Sequence, residues 1–419
     1  MLQTTFPSPG RAERALQICL LLALFAVPFS TALTNLFAAL SLVGALIGVV
    51  ASAPARATLR LPPSLLALLL LGALIAGAAW TIAPHPDLVQ ALKKYAKLAI
   101  LPVAIGLAWR DRSLAARAVR AYGAGSLVLA GACYLVWFNL MPESAWWRVG
   151  DQADSFAFKN HITIGILLSF SATGAFLYAS YAHTWRARLS WLAGGVFSTV
   201  PVIFLSQGRT GYLSLLLGLL VVFLLRVRLN ARNVLAGAAA LALLFGAFYA
   251  TSSNIQLRAA QLVDEISHHK QQSPNGLRAS FMLTGIQLFQ AHPLFGNGTG
   301  SFAEGYAPEA RRVWGAGTHF GEARHQPHSE VLNIAVQLGL AGLALYGALL
   351  AALLRPALRL RARQTDLLVL LWLIYGFCSI FNSLLWDPTE AYWFLILAGC
   401  LYGAAAPRPV DGAGLAAPA

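Results

Sequence analysis

Charge is what this sequence has least of. Only 11% of its 419 residues are Asp, Glu, Lys or Arg, against 58% hydrophobic, where a soluble domain carries roughly a quarter charged residues. That shortage excludes a water-soluble globular chain. Cysteine is also sparse: Cys19, Cys133, Cys378 and Cys400 fall far apart in apolar stretches without a CxxC pair. A disulfide framework and a cysteine zinc site are thereby excluded. The 30 basic residues outnumber the 16 acidic ones, yet no nucleic-acid recognition motif accompanies the excess, so no nucleic-acid partner is expected. No clear small-x-small cleavage site follows the apolar stretch 11–28, which therefore reads as a first membrane helix rather than a signal peptide.

What is present is apolar length. Runs near the roughly 20 residues that cross a bilayer recur along the chain, separated by short loops rich in Arg and Pro. They predict spans at 15–28, 31–51, 62–82, 95–109, 114–139, 159–181, 187–205, 210–225, 234–250, 328–354, 367–385 and 391–405. The expected fold is an all-α polytopic membrane protein with about twelve transmembrane helices. Residues 1–250 would hold helices 1 to 9, 251–327 a long loop containing helices, 328–405 helices 10 to 12, and 406–419 a cytoplasmic tail.

Basic residues mark the sides. With the N-terminus inside, alternate loops and the termini hold 18 of the 30 basic residues and only four of the 16 acidic ones, Glu13, Asp111, Asp366 and Asp411. This is the positive-inside pattern and predicts both termini in the cytoplasm. The net charge of +14 then faces anionic inner-leaflet lipid.

Polar chemistry collects on the other face. Arg209 in "SQGRTGYLSL" interrupts apolar sequence at a helix end, where an ionisable group costs on the order of 3 kcal/mol and marks a candidate site, with snorkelling into headgroups as the alternative. Lys159 in "FAFKNHITIG" begins another helix on that side, with Asn160 and His161 beside it. Within the long loop, 277–290 predicts an amphipathic helix whose Phe281, Leu288 and Phe289 face the membrane or the bundle. Gly296, Gly298 and Gly300 follow a helix and open no βαβ unit, so they read as turn residues rather than a dinucleotide fingerprint. In "HQPHSEVLNIAVQLGLAGL", Pro327 predicts a helix start that places His328, Ser329 and Glu330 in its first turn. The helix dipole there disfavours imidazolium, leaving His328 neutral and able to accept a proton. Zinc ligation by His319, Glu322, His325 and His328 is the weaker alternative, because the H-x-x-H contains a proline and lacks the HExxH arrangement, so no metal is expected. A transporter would place its ionisable groups near the membrane midplane, whereas most predicted spans here have nearly uncharged centres.

Three of these stretches together resemble the O-antigen ligase and polymerase superfamily of bacterial envelopes: "GRTGY" at 208–212, "LRASFMLTGIQLFQAHPLFGNGTGSF" at 277–302 and "HQPHSEVLNIAVQLGLAGL" at 325–343. Ser329 stands where members often carry Asn. The resemblance implies an inner-membrane enzyme with a GT-C type architecture and one long periplasmic loop, moving a glycan from undecaprenyl diphosphate to a sugar hydroxyl of lipid A core without metal or cofactor. It suggests Arg209, Arg278 and Lys159 for holding the donor diphosphate and His328 as general base, with inversion at the anomeric carbon. His325, Glu330 and Arg312 are candidates for orientation or acceptor binding. One late loop carrying the histidine pair and a short tail favour ligase over polymerase or protein O-glycosyltransferase, and a transporter of lipid-linked glycan is the alternative of another class.

Overall fold

The computed structural model describes residues 10–51, 53–142, 144, 147–227, 230–267, 274–315, 324–359 and 361–407. Among them the helices are α1 Arg11–Ala26, α2 Thr31–Ala51, α3 Ala53–Leu59, α4 Pro62–Ala76, α5 His85–Tyr95, α6 Ile100–Arg110, α7 Ser113–Trp137, α8 His161–Ser180 and α9 Trp185–Val200. They continue with α10 Arg209–Arg226, α11 Ala231–Thr251, α12 Ser253–Ser267, α13 Pro274–Ala291, α14 Phe302–Trp314, α15 Glu330–Arg359, α16 Arg363–Phe381 and α17 Pro388–Ala405. The only strand-like pairing among the described residues is two isolated bridges, Ser144 with Trp147 and Val149 with Ala157.

Each of the twelve apolar stretches carries a helix, but among the described residues nine helices are long and apolar enough to cross a membrane. The difference has local causes. α1 has 16 residues and α6 only 11, while the 18-residue α17 opens on Pro388, Thr389 and Glu390, which dilute its apolar content.

α8 and α17 form the centre of the bundle, buried along nearly their whole length. α11 lies at its edge, with Gly237 its one buried residue. Without water to drive helices together in lipid, close packing depends on small residues. A Cβ built on Gly165 of α8 would lie 2.7 Å from the Cα of Gly211 in α10, so the two backbones touch. Ser169 Oγ adds a 2.9 Å hydrogen bond to the Gly211 carbonyl. This contact fixes the first turn of α10, and with it Arg209, beside the start of α8.

α15 departs from the sequence expectation twice. Its first helical residue is Glu330, two positions after His328, which has φ 54° and cannot belong to a helical turn. Ser329 takes the capping position instead: its Oγ accepts the Leu332 amide at 3.3 Å, which gives a role to the residue that stands in place of Asn. The helix then breaks at Gly339 (φ 63°, ψ −151°), roughly 14 Å from its start at 1.5 Å per residue. The apolar run had suggested no interruption.

The glycine-rich stretch fills that break. The amides of Asn297 and Gly298 donate to the carbonyls of Val336 and Gln337 at 2.8 and 3.0 Å, and Leu340 and Ala341 donate back to Pro293 and Leu294 at 2.8 and 3.1 Å. Thr299 ties the same stretch to Leu74 of α4 and to Gly77 just after it. Irregular backbone at membrane depth survives only when protein satisfies it, and here residues 293–298 supply the bonds the broken helix gives up. Gly298 has φ +86°, and a Cβ there would meet Thr81 at 2.2 Å, so these glycines form a packed insertion as well as a turn.

Candidate active site

α13 and the segment before α15 meet at one face of the bundle. α13 spans the predicted amphipathic stretch and uses both faces: Phe281 is fully buried, whereas Met282, Leu283 and Ile286 are exposed. Phe281 packs with Phe302 and Tyr306 of α14, and its ring lies 5.5 Å from the His328 imidazole at 32°. Arg278 sits three residues earlier, close to the same side of the helix. One helix therefore presents an aromatic platform and a guanidinium to the histidine.

The chain holds His328 in its left-handed conformation through Gln326, whose Oε1 accepts the His328 amide at 2.8 Å while its Nε2 lies 3.4 Å from His328 Nδ1. A histidine at positive φ is uncommon and points to a site where surrounding contacts impose the geometry. Burial, and then the nearby Arg278 and Arg324 guanidinium groups, pull the imidazole down to about 4. It is neutral at ordinary pH, for reasons other than the helix dipole expected from sequence.

Arg278 is itself pulled below the usual arginine range, first by burial and then by Arg209. Its guanidinium has no hydrogen bond or ion pair among the described residues. Arg278 thus faces the positive charge of Arg209, and His328 faces those of Arg278 and Arg324. Such a cluster favours an anionic ligand, and arginine matches phosphate oxygens with paired donors.

The other predicted residues lie differently. Lys159 Nζ donates to Thr31 Oγ1 at 2.5 Å and Thr389 Oγ1 at 2.9 Å. Burial pulls it down to about 8 against the attraction of Glu390. His325 Nδ1 is 3.6 Å from Asp87 Oδ1, on an exposed edge. Arg312 pairs with Glu309 within α14 at 2.7 Å and is largely in solvent. Glu330 is completely buried: Oε1 accepts the Tyr95 hydroxyl at 3.0 Å and Oε2 the Leu385 amide at 2.7 Å. That engagement suits positioning better than contact with an acceptor. His319 and Glu322 lie outside the described residues.

A second set of residues was not apparent in the sequence. Asp154 Oδ1 accepts the Gln207 amide at 2.9 Å and Oδ2 lies 3.0 Å from His161 Nδ1, while Arg258 Nε donates to the Gln207 carbonyl at 3.1 Å. Burial opposes the charge on Asp154, but hydrogen bonds from His161 and Gln207 outweigh it and hold the carboxyl below its usual range. Gly208 packs on the His161 carbonyl, where a Cβ would lie 2.6 Å from the oxygen. Asp154 and His161 therefore set the turn that launches Arg209. His161 beside Lys159 was a visible signal, whereas nothing near Asp154 pointed some fifty residues ahead.

Residues 194–347, from within α9 to beyond the break in α15, match the O-antigen ligase family. Over this stretch the chain is similar to that family. No curated protein matches the chain. The O-antigen ligase match takes in Arg209, Arg278, His325 and His328, and leaves Lys159 before it. It bears out the resemblance carried by the three motifs and supports, at a coarse level, a membrane enzyme of the O-antigen ligase and polymerase type.

Proposed function

We propose that this protein is an O-antigen ligase that moves a glycan from undecaprenyl diphosphate to a sugar hydroxyl of lipid A core at the periplasmic face of the inner membrane, with both termini in the cytoplasm. The observation that carries the proposal is the His328 imidazole packed 5.5 Å from Phe281 of α13, the helix that also carries Arg278, with Arg278 and Arg324 opposing its protonation. Arg209 and Arg278 bind the donor diphosphate and stabilise the charge that grows on it as the anomeric C–O bond breaks. His328 takes the proton of the acceptor hydroxyl while that oxygen bonds to the anomeric carbon, and undecaprenyl diphosphate leaves. Direct attack inverts the configuration. Lys159 acts at one remove through the two threonines it binds, Glu330 positions the start of α15, and His325 and Arg312 are the acceptor-side candidates. No metal takes part in this scheme.

Purified protein in proteoliposomes with lipid-linked glycan and lipid A core should form the conjugate, also in excess EDTA. His328→Ala should lower transfer by about 100-fold to 10,000-fold, and a wild-type rate in that variant would sink the base assignment. A second lipid-linked repeat or a protein hydroxyl as acceptor would make the enzyme a polymerase or a protein O-glycosyltransferase with the same donor end. Movement of lipid-linked glycan between leaflets without any acceptor would instead mark a transporter.

A further inference from the structure

Between the end of α7 and the start of α8, residues 147–158 fold back on themselves. Gly150 donates to Phe156 at 2.8 Å, and Phe158 donates to Arg148 at 2.9 Å. A cavity of about 440 Å³ opens beside this hairpin, within the roughly 300–1,000 Å³ of small-ligand sites. Val136, Met141 and Val149 give it an apolar side, and Asn139, Ser144 and Trp147 complete most of the wall. We infer that this cavity binds a neutral sugar ring of one of the glycan substrates.

The chemistry of the wall selects that ligand. None of the described lining residues is charged, so the cavity favours a neutral ligand over a phosphate or carboxylate. The Asn139 side-chain amide has no partner among the described residues and can both donate to and accept from hydroxyl groups. Trp147 has already given its indole N–H to the Pro142 carbonyl at 3.1 Å and sets its ring edge-on to Phe158 at 6.1 Å. Its fixed ring therefore contributes apolar surface rather than a hydrogen bond. A pyranose, with hydroxyls at its rim and C–H bonds on its faces, matches that combination.

Backbone strain adds a second observation. Among the described residues only three non-glycine positions have positive φ: Asn139 at 56°, Phe158 at 65° and His328 at 54°. The third is the proposed base. The first lines the cavity and the second packs against its Trp147 wall, and a bulky residue such as Phe158 adopts this conformation only when its surroundings enforce it. The hairpin also links the cavity to the donor end, because its tip carries Asp154, which holds Gln207 and His161 next to Arg209. A sugar seated here would lie at one end of a short hairpin whose other end sets the diphosphate arginine.

The inference rests on the proposed transfer for the source of the sugar, so its test measures binding alone. Full-length protein in nanodiscs is titrated by saturation-transfer NMR with two probes from the host strain, delipidated core oligosaccharide and free repeat-unit oligosaccharide. At least one should bind, the core marking an acceptor subsite and the repeat a donor-glycan subsite. Trp147→Ala and Asn139→Ala should each weaken it by about tenfold, near 1.4 kcal/mol, while Trp147→Phe retains it. His328→Ala should leave binding intact, which separates this site from the proposed chemistry. Failure of both probes to bind, or binding unchanged in both alanine variants, overturns the inference.

Discussion

His328 and Glu330 are two residues apart, yet their surroundings treat charge in opposite ways. Around Glu330 every contact answers another: Tyr95 and the Leu385 amide donate to its carboxylate, and Asn333 and Gln337 donate to the Tyr95 oxygen at 2.8 and 3.2 Å. Around His328 the neighbours are Arg278 and Arg324, which discourage its protonation, and Arg278 is in turn opposed by Arg209. The interior network is closed and belongs to the fold. At the rim, cations face one another, an arrangement that suits the anionic donor proposed above. Burial alone separates these two regions poorly, whereas the sign of the neighbouring charge separates them clearly.

Breaking the rim should have the largest effect. Arg278→Gln is expected to weaken use of the donor by about tenfold or more, since charge-assisted phosphate contacts are the strong ones, read as KM for lipid-linked glycan. The same variant should sharpen the comparison through pH. Protonated His328 cannot act as a base, so wild-type transfer falls only as pH drops toward about 4. Removing Arg278 relieves one of the two cations opposing protonation and should move that acid limb upward, with burial still holding it below the ordinary histidine range. An acid limb that stays in place would detach His328 from the arginine.

Breaking the interior should act on stability instead. Glu330→Ala leaves the Tyr95 hydroxyl and the Leu385 amide without their acceptor, and a buried unsatisfied group costs about 1–3 kcal/mol. A lowered Tm, with transfer per folded molecule near wild type, is the expected result. Loss of transfer at unchanged Tm would move Glu330 from the closed network to the reacting groups. The smallest effect is expected at Arg312→Ala, because exposed pairs contribute little: KM for the acceptor should change by less than about twofold. A larger rise would extend the rim cluster onto α14.

Much of this was legible in the sequence because lipid makes simple demands. Apolar length announced a helix in each of the twelve stretches, and scarce charge made Arg209, Arg278 and His328 conspicuous. Misreadings came where a long-range contact overrides local pattern. Pro327 looked like a first helical residue, but the Gln326 bond and the positive φ of His328 postpone the helix until Ser329 can cap it. Gly339 in an apolar run looked like any small residue in a span, since only residues 293–298, some forty positions earlier, make its break tolerable. Asp154 was invisible for the same reason. Its partners at His161 and Gln207 are brought near by the α8–α10 contact.

The insertion of residues 293–298 into the broken helix has a mechanical consequence. α13, which carries Arg278, runs within two residues into that insertion, and the insertion is stitched to the helix that His328 precedes. The two are spliced like overlapping timbers. Peeling them apart would strip four backbone hydrogen bonds at membrane depth, each group costing several kcal/mol when left unpaired. The two halves proposed to grip the donor and accept the proton therefore travel as a single piece, and any widening that admits a bulky glycan must hinge elsewhere in the molecule.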